Sequence, residues 1–327
     1  MRSFSYASAR DSADAARMAG RTPGAAFIAG GTDLLNLMKD GVQHHPHLID
    51  VNKLDLSRVT ESASGLHIGG LARMRQVAEH HAVRARFPVL AEALLASASP
   101  QVRNMATIGG NLLQRTRCGY FRDTGSACNK RVPGSGCPAL QGWNRGHAVL
   151  GTSDSCIATH PSDLAVALTA LDATVHVLGP AGARRIPVGE FYRLPGDTPQ
   201  IETSLRPAEL ITAVEVPRYP AASRSRYLKV RDRATFEFAV VSVAAALHLR
   251  GHFVRDIRLA FGGIATKPWR SAEAEAELRG KNLTVQRVEQ AGRVLVRAAV
   301  PRQDNAFKVE LVQRALVELV LDLGGLR

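Results

Sequence analysis

Four cysteines, Cys118, Cys128, Cys137 and Cys156, are the only ones in a chain of 327 residues, and they fall in one segment with the spacing C-x9-C-x8-C-x18-C. Three kinds of chemistry suit such a group: paired disulfides, a zinc site, or an iron–sulfur cluster. A chain of this length buries a large core and has little need of disulfide staples. Zinc sites usually draw thiolates from close C-x2-4-C pairs, which are absent here, and the compact ferredoxin spacing is absent too. Around the cysteines stand Gly119, Gly125, Gly134 and Gly136, whose backbone can approach sulfur, and the cations Arg117, Arg122, Lys130 and Arg131. Such surroundings suit a core that four thiolates leave net negative. The residues by themselves leave all three readings open.

Two glycine turns carry a second candidate chemistry: Ala29-Gly30-Gly31-Thr32-Asp33 and Thr107-Ile108-Gly109-Gly110-Asn111. Glycine lets the backbone come close and aim N–H groups at one anion, for which a diphosphate is the natural occupant. Neither turn is a Rossmann fingerprint or a P-loop. One such turn alone is commonly a plain structural turn; a pair in one chain says more. His44, His45 and His47 flank Pro46 without accompanying carboxylates and read as a surface loop rather than a metal site. No Ser/His/Asp group or carboxylate pair stands out, so no catalytic acid or base is assigned.

The elements that must position these residues follow from periodicity. Residues 25–29 read as a strand and 34–38 as a helix around the first turn, with a second strand at 48–51, a βαβ-like unit ending in the polar run 55–64. A strand at 66–69 and helices at 74–81 and 89–98 lead to the second turn. Residues 114–159, which hold every cysteine, show no convincing periodicity and read as a long loop held by something other than an apolar core. Beyond it come a helix at 162–171, strands at 174–178 and 211–216, and a linker at 217–225. The remainder reads as an α+β domain: strand-like 226–231, strand- or helix-like 239–250, strand-like 257–262, and amphipathic helices at 272–278 and 306–323. No repeat of solenoid length is visible.

The totals exclude several classes. The hydrophobic share is 45%, yet no apolar run approaches the length of a membrane span. Net charge is +13, but the basic residues are scattered and aromatics make up only 5%, which argues against nucleic-acid binding. Residues 1–20 lack the apolar centre of a secretory signal.

Ordered strings then carry a resemblance. Phe27-Ile28-Ala29-Gly30-Gly31-Thr32-Asp33-Leu34, Ala106-Thr107-Ile108-Gly109-Gly110-Asn111-Leu112, His160-Pro161-Ser162-Asp163-Leu164, and the segment 209–217 followed by Tyr227-Leu228-Lys229-Val230-Arg231 resemble the FAD-binding subunit of the xanthine dehydrogenase family of molybdenum hydroxylases, over essentially the whole chain. Within that family the cysteine segment is an insertion. Residues 117–123, 128–130 and 133–137 are similar to the loop of FAD subunits of bacterial periplasmic aldehyde oxidoreductases, which carries a 4Fe-4S cluster.

The resemblance implies an α+β fold: a two-part FAD-binding domain of the vanillyl-alcohol-oxidase (PCMH-like) type and a C-terminal α+β domain of the CO dehydrogenase flavoprotein type. The implied divisions are 1–57, 58–218 with the insertion 114–159, and 223–327. It implies that Phe27, Ile28, Ala29, Gly30, Gly31, Thr32, Asp33 and Leu34 wrap the FAD diphosphate, and that Thr107, Gly109, Gly110 and Asn111 close over the same region. Asp163 would hydrogen-bond the cofactor, with Ile211 and Lys229 beside the isoalloxazine, where a cation stabilises an anionic reduced flavin. The plainer readings are an early-helix acid and a solvated lysine. Cys118, Cys128, Cys137 and Cys156 would hold the 4Fe-4S cluster.

The implied function is electron transfer within a heterotrimer. A molybdenum cofactor-binding large subunit and a small subunit with two 2Fe-2S clusters would be the partners, with aldehyde oxidised to carboxylic acid by the whole complex and electrons leaving through FAD to an external acceptor. An N-heterocycle hydroxylase, a self-sufficient flavin oxidoreductase and a zinc-binding assembly subunit without flavin are the alternatives. With no signal of its own, the chain would reach the periplasm only with a signal-bearing partner, and otherwise stay in the cytoplasm.

Overall fold

The computed structural model describes residues 1–326. Three sheets organise them. Strands β1 (Ser5–Ser8), β2 (Ala26–Ile28) and β3 (His47–Asp50) form a small parallel sheet in the order β1-β3-β2. Helices α1 (Ser12–Arg21) and α2 (Leu34–Lys39) fill the connections, as parallel pairing requires. The expected βαβ unit is therefore present, with an additional strand and helix before it. Asp11 caps α1, its side chain accepting from Asp14 N, and α1 buries only Asp14, Ala15 and Ala16.

A five-stranded antiparallel sheet follows, β4-β5-β8-β6-β7, from β4 (Val59–Ser62), β5 (Gly65–Gly69), β6 (Thr174–Gly179), β7 (Gly182–Pro187) and β8 (Leu210–Pro217). Along β6 exposure alternates strictly, and Val175 and Val177 enter the core. β4 and β7 are exposed edge strands; β4 lies in the polar run 55–64, to which periodicity assigns no strand. Their solvated side chains remove the apolar signal on which strand recognition depends.

The third sheet, β11-β10-β9, is antiparallel and comprises β9 (Ser225–Val230), β10 (Val241–Arg250) and β11 (Phe253–Gly262). Its central strand is buried on both faces, which is why residues 239–250 read equally as strand or helix. Val243, Ala245 and Leu247 face the core shared with helices Val285–Leu295 and Phe307–Gly324. Ala244 and Ala246 face the core containing helices Pro88–Ala96 and Asp163–Ala170. Small side chains on that face allow the helices to approach closely. Helix Val285–Leu295 was not anticipated from periodicity. Among the described residues, no helix is long and apolar enough to cross a membrane.

Candidate flavin cleft and cysteine cavity

The first glycine turn leaves β2 and enters α2. Gly31 has φ +67°, a left-handed conformation that glycine adopts without steric cost. A Cβ on Gly30 would stand 2.1 Å from the Met105 carbonyl oxygen, so only glycine lets this turn seat against the segment that precedes the second turn. Among the described residues, the backbone N–H groups of Gly30, Gly31, Thr32, Asp33 and Leu34 donate no hydrogen bond, and α2 has no side-chain cap. Consecutive unpaired N–H groups around a left-handed residue form a concavity for an anion.

The second turn differs from expectation. Residues Ile108–Leu112 form a short helix capped by Thr107, whose Oγ1 accepts from Gly110 N at 3.2 Å. Ile108 N donates to Ala72 O, Gly109 N to Gly70 O and Asn111 N to Thr107 O. These N–H groups are already used, and Thr107 N is left without a protein acceptor among the described residues, so what the turn still offers a ligand is its first N–H. Its glycines serve packing: a Cβ on Gly109 would lie 3.1 Å from Gly70 O and 3.4 Å from the Ile211 Cβ. Asn111 is likewise internal, accepting from Ser162 Oγ at 2.6 Å. The second turn is floor, and the first is cradle.

Between them opens a cleft of about 580 Å³, within the size range of cofactor sites. Every residue assigned above to the flavin lines it except Ile28, which turns the other way onto Met38 and Leu48. Asp163, 5% exposed, is the hub of the inner wall. It accepts from Ser97 Oγ at 2.9 Å, Tyr227 Oη at 2.6 Å and Lys229 Nζ at 2.8 Å. Lys229 also donates to Ala96 O. Lys229 is not solvated, so its plain surface reading falls; Asp163 does stand in the first turn of helix Asp163–Ala170, and there its charge is matched by the buried Lys229. Burial, reinforced by the Asp163 charge, holds the Tyr227 hydroxyl well above its ordinary range, so it remains a donor. Ser97 carries no local sequence signal, and Tyr227 opens the string 227–231 without a role assigned to it; only the fold brings them to Asp163.

All four cysteines line one small cavity, with His147, Phe121 and Tyr120 among its walls. No disulfide joins any two of them. Burial pushes the Cys118 thiol up to about 12, with charge on Cys128 and Cys156 adding to the effect. It raises Cys137 and Cys156 as well, where charge on Cys128 also contributes. The sulfurs are thus electrostatic neighbours in a desolvated space. Among the described residues, no three His, Cys, Asp or Glu side chains converge closely enough to hold one metal ion. His45 and His47 lie at hydrogen-bond distance from Gly24 O and Ser5 Oγ; His44 and His45 are in a loop as expected, whereas His47 opens β3.

The cysteine loop is clamped on two sides. Towards the cleft, Asp33 accepts from Arg115 N at 2.8 Å and from the Arg117 and Arg122 guanidinium groups at 2.9 and 3.0 Å. Leu37 of α2 packs with Phe121 and Cys128. Towards the C-terminal sheet, Asn144 exchanges hydrogen bonds with Asp304, and Val149 and Leu150 donate to Ile264 O. Asp33 belongs to both regions: its backbone is in the first turn and its carboxylate anchors the loop.

A parallel three-stranded unit and an antiparallel sheet around an apolar cleft, followed by a second α+β domain, define a two-domain flavoprotein architecture. Residues 2–219 match the FAD binding domain in molybdopterin dehydrogenase and residues 226–323 the CO dehydrogenase flavoprotein C-terminal domain, and the chain belongs to this family. It is 49% identical to the aldehyde oxidoreductase FAD-binding subunit of Escherichia coli, over 98% of each chain. It is 29% identical to the glyceraldehyde dehydrogenase medium chain of Sulfolobus acidocaldarius, over 86% of this chain and 82% of the relative. Its fold matches the structure of carbon monoxide dehydrogenase from Hydrogenophaga pseudoflava lacking the Mo-pyranopterin moiety, with a TM-score of 0.76, 25% identity, and coverage of 98% of this chain and 96% of that one.

Proposed function

We propose that this chain is the FAD-binding electron-transfer subunit of a heterotrimeric molybdenum-containing aldehyde oxidoreductase, with a 4Fe-4S cluster of its own on Cys118, Cys128, Cys137 and Cys156. The observation that carries the flavin assignment is the run of unpaired N–H groups from Gly30 to Leu34 at the edge of an apolar cleft. Likeness to the Escherichia coli subunit supports the aldehyde complex, with a molybdenum large subunit and a 2Fe-2S small subunit as partners. The divisions 1–57, 58–218 and 223–327 are proposed as its units.

FAD, when bound, supplies the one- and two-electron chemistry that links donor clusters to an acceptor. The chain's part is binding and electrostatics. The N–H groups of the first turn would meet the diphosphate, and the Asp33 carboxylate, drawn aside by arginines, would not oppose it. Gly109, Gly110 and Ile211 would form an apolar floor, and the Asp163–Lys229 pair would present a fixed dipole beside the ring system. For the cysteines, the lining of one shared cavity by all four supports a common occupant. The arginines and Lys130 around it would offset the negative core.

The chain should be co-expressed with both partners, and the purified complex assayed for flavin, iron and aldehyde-dependent reduction of an acceptor. One FAD and about four irons assigned to this chain are expected. Flavin without that iron would remove the cluster alone; zinc without flavin would overturn the whole reading.

A further inference from the structure

His147 lines the same cavity as the four cysteines and is 4% exposed. Its Nε2 lies 3.1 Å from Cys118 Sγ, within reach of a hydrogen bond to sulfur. Its Nδ1 is buried and has no hydrogen-bond partner among the described residues. The backbone of His147 is held on both sides, and one aromatic ring neighbours the imidazole. His147 N donates to Asn144 O at 2.9 Å, its carbonyl accepts from Asn305 Nδ2 at 3.4 Å, and the Tyr120 ring lies against it at 6.3 Å. Among the described residues, no other cysteine of the four has a side-chain nitrogen at hydrogen-bond distance from its sulfur.

We infer that His147 is a positioning residue that donates Nε2–H to the Cys118 sulfur and so raises the reduction potential of the iron–sulfur cluster; this rests on the cluster reading given above. A cysteine sulfur bound to iron carries no proton and can only accept. Neutral imidazole has a single N–H, and it goes to the nitrogen with the better-placed acceptor: Nε2 faces the sulfur at 3.1 Å, whereas the Asn144 carbonyl near the ring lies outside hydrogen-bond geometry for Nδ1. A protonated ring donates there as well, so the direction of the bond does not depend on the charge of the ring. An electron added to the cluster spreads partly onto its sulfurs. A hydrogen bond to sulfur therefore favours the reduced form.

The test uses the complete complex, with this chain as wild type, His147→Leu and His147→Gln, each analysed for iron and titrated by EPR against ambient potential. In His147→Leu the iron content stays and the reduced-to-oxidised ratio at fixed potential falls about tenfold, a shift of about 59 mV for one electron. His147→Gln, which keeps an N–H donor, returns most of the way. Full iron with the native potential in His147→Leu overturns the inference, as does a glutamine variant shifted as far as the leucine one. If His147→Leu loses its iron, wild-type complex grown on histidine labelled with the heavy nitrogen isotope decides. A weak nitrogen coupling to the reduced cluster supports the hydrogen bond. No coupling overturns it, and so does a strong one, which would make His147 a ligand. Wild type without iron on this chain fails the cluster reading itself, and this inference with it.

Discussion

The flavin cleft hangs on regular elements, strands β2, β5 and β8 and the helices at 108–112 and 163–170, and among the described residues its run of unpaired N–H groups lies at the first glycine turn. The cysteine loop has almost no regular structure between residues 114 and 159, and its order comes from side chains: arginines on Asp33 and on backbone carbonyls, Lys130 on Glu202, Asn144 on Asp304. A site framed by backbone keeps its shape when a surface side chain changes. A site framed by ion pairs depends on each partner, because removing one leaves the other charge desolvated. Asp33 joins the two modes, and substitutions can show how separable the regions are.

The largest effect is expected inside the cleft. Asp163→Ala strands Lys229 and Tyr227 in a buried wall, which should cost about 3–5 kcal/mol of stability in denaturant titrations of the complex. Flavin should be lost while iron is retained; loss of both would show that the regions stand or fall together. Next is Gly30→Ala, whose new methyl meets backbone rather than a flexible side chain. A cost of about 1–3 kcal/mol and a large drop in flavin per chain are expected, read by fluorescence of the released cofactor. Asp33→Asn should cost about 1–2 kcal/mol, discounted because its arginine partners keep some solvent contact. Here iron and flavin should decline in parallel under a chelator, and flavin loss with fully retained iron would deny Asp33 its double role.

The smallest effect is a pH dependence between the two sites. Burial, with the Lys130 charge adding to it, holds His160 down to about 3, against an ordinary 6.5. As pH falls below 6.5 the unfolded chain takes up this proton and the folded chain does not until about 3, so stability declines through that window. His160→Leu should lose about 1 kcal/mol less than wild type between roughly pH 7.5 and 5.5. Equal losses would mean that the folded chain accommodates the charged ring.

Much of the framework is legible in the sequence because its signals are local. Ala26–Ile28, the turn after it and Leu34–Lys39 follow one another as strand, glycines and helix, and Ser162 announces the helix Asp163–Ala170. What stays hidden depends on distant partners. That the second turn gives the N–H groups of Ile108 and Gly109 to Ala72 and Gly70 cannot be read from Thr107–Asn111 alone. Asp33 meets Arg115 and Arg122 across more than eighty intervening residues, so its side chain reads as part of a diphosphate turn until the fold turns it aside. β1 and α1 are missed for another reason: they bury few apolar side chains, and periodicity has little to register.

The clamp on the far side of the cysteine loop has a consequence for how the protein is made. Val149 and Leu150 find their acceptor at Ile264, Val149 O its donor at Val300, and Asn144 its partner at Asp304. A ribosome releases the cysteines more than a hundred residues before those groups exist. During that interval the thiols lack the scaffold that later buries them, and the chain depends on a reducing compartment to keep them apart. On the cluster reading proposed above, metal loading would follow synthesis in that same compartment, and a chain destined for export would have to be matured before it leaves.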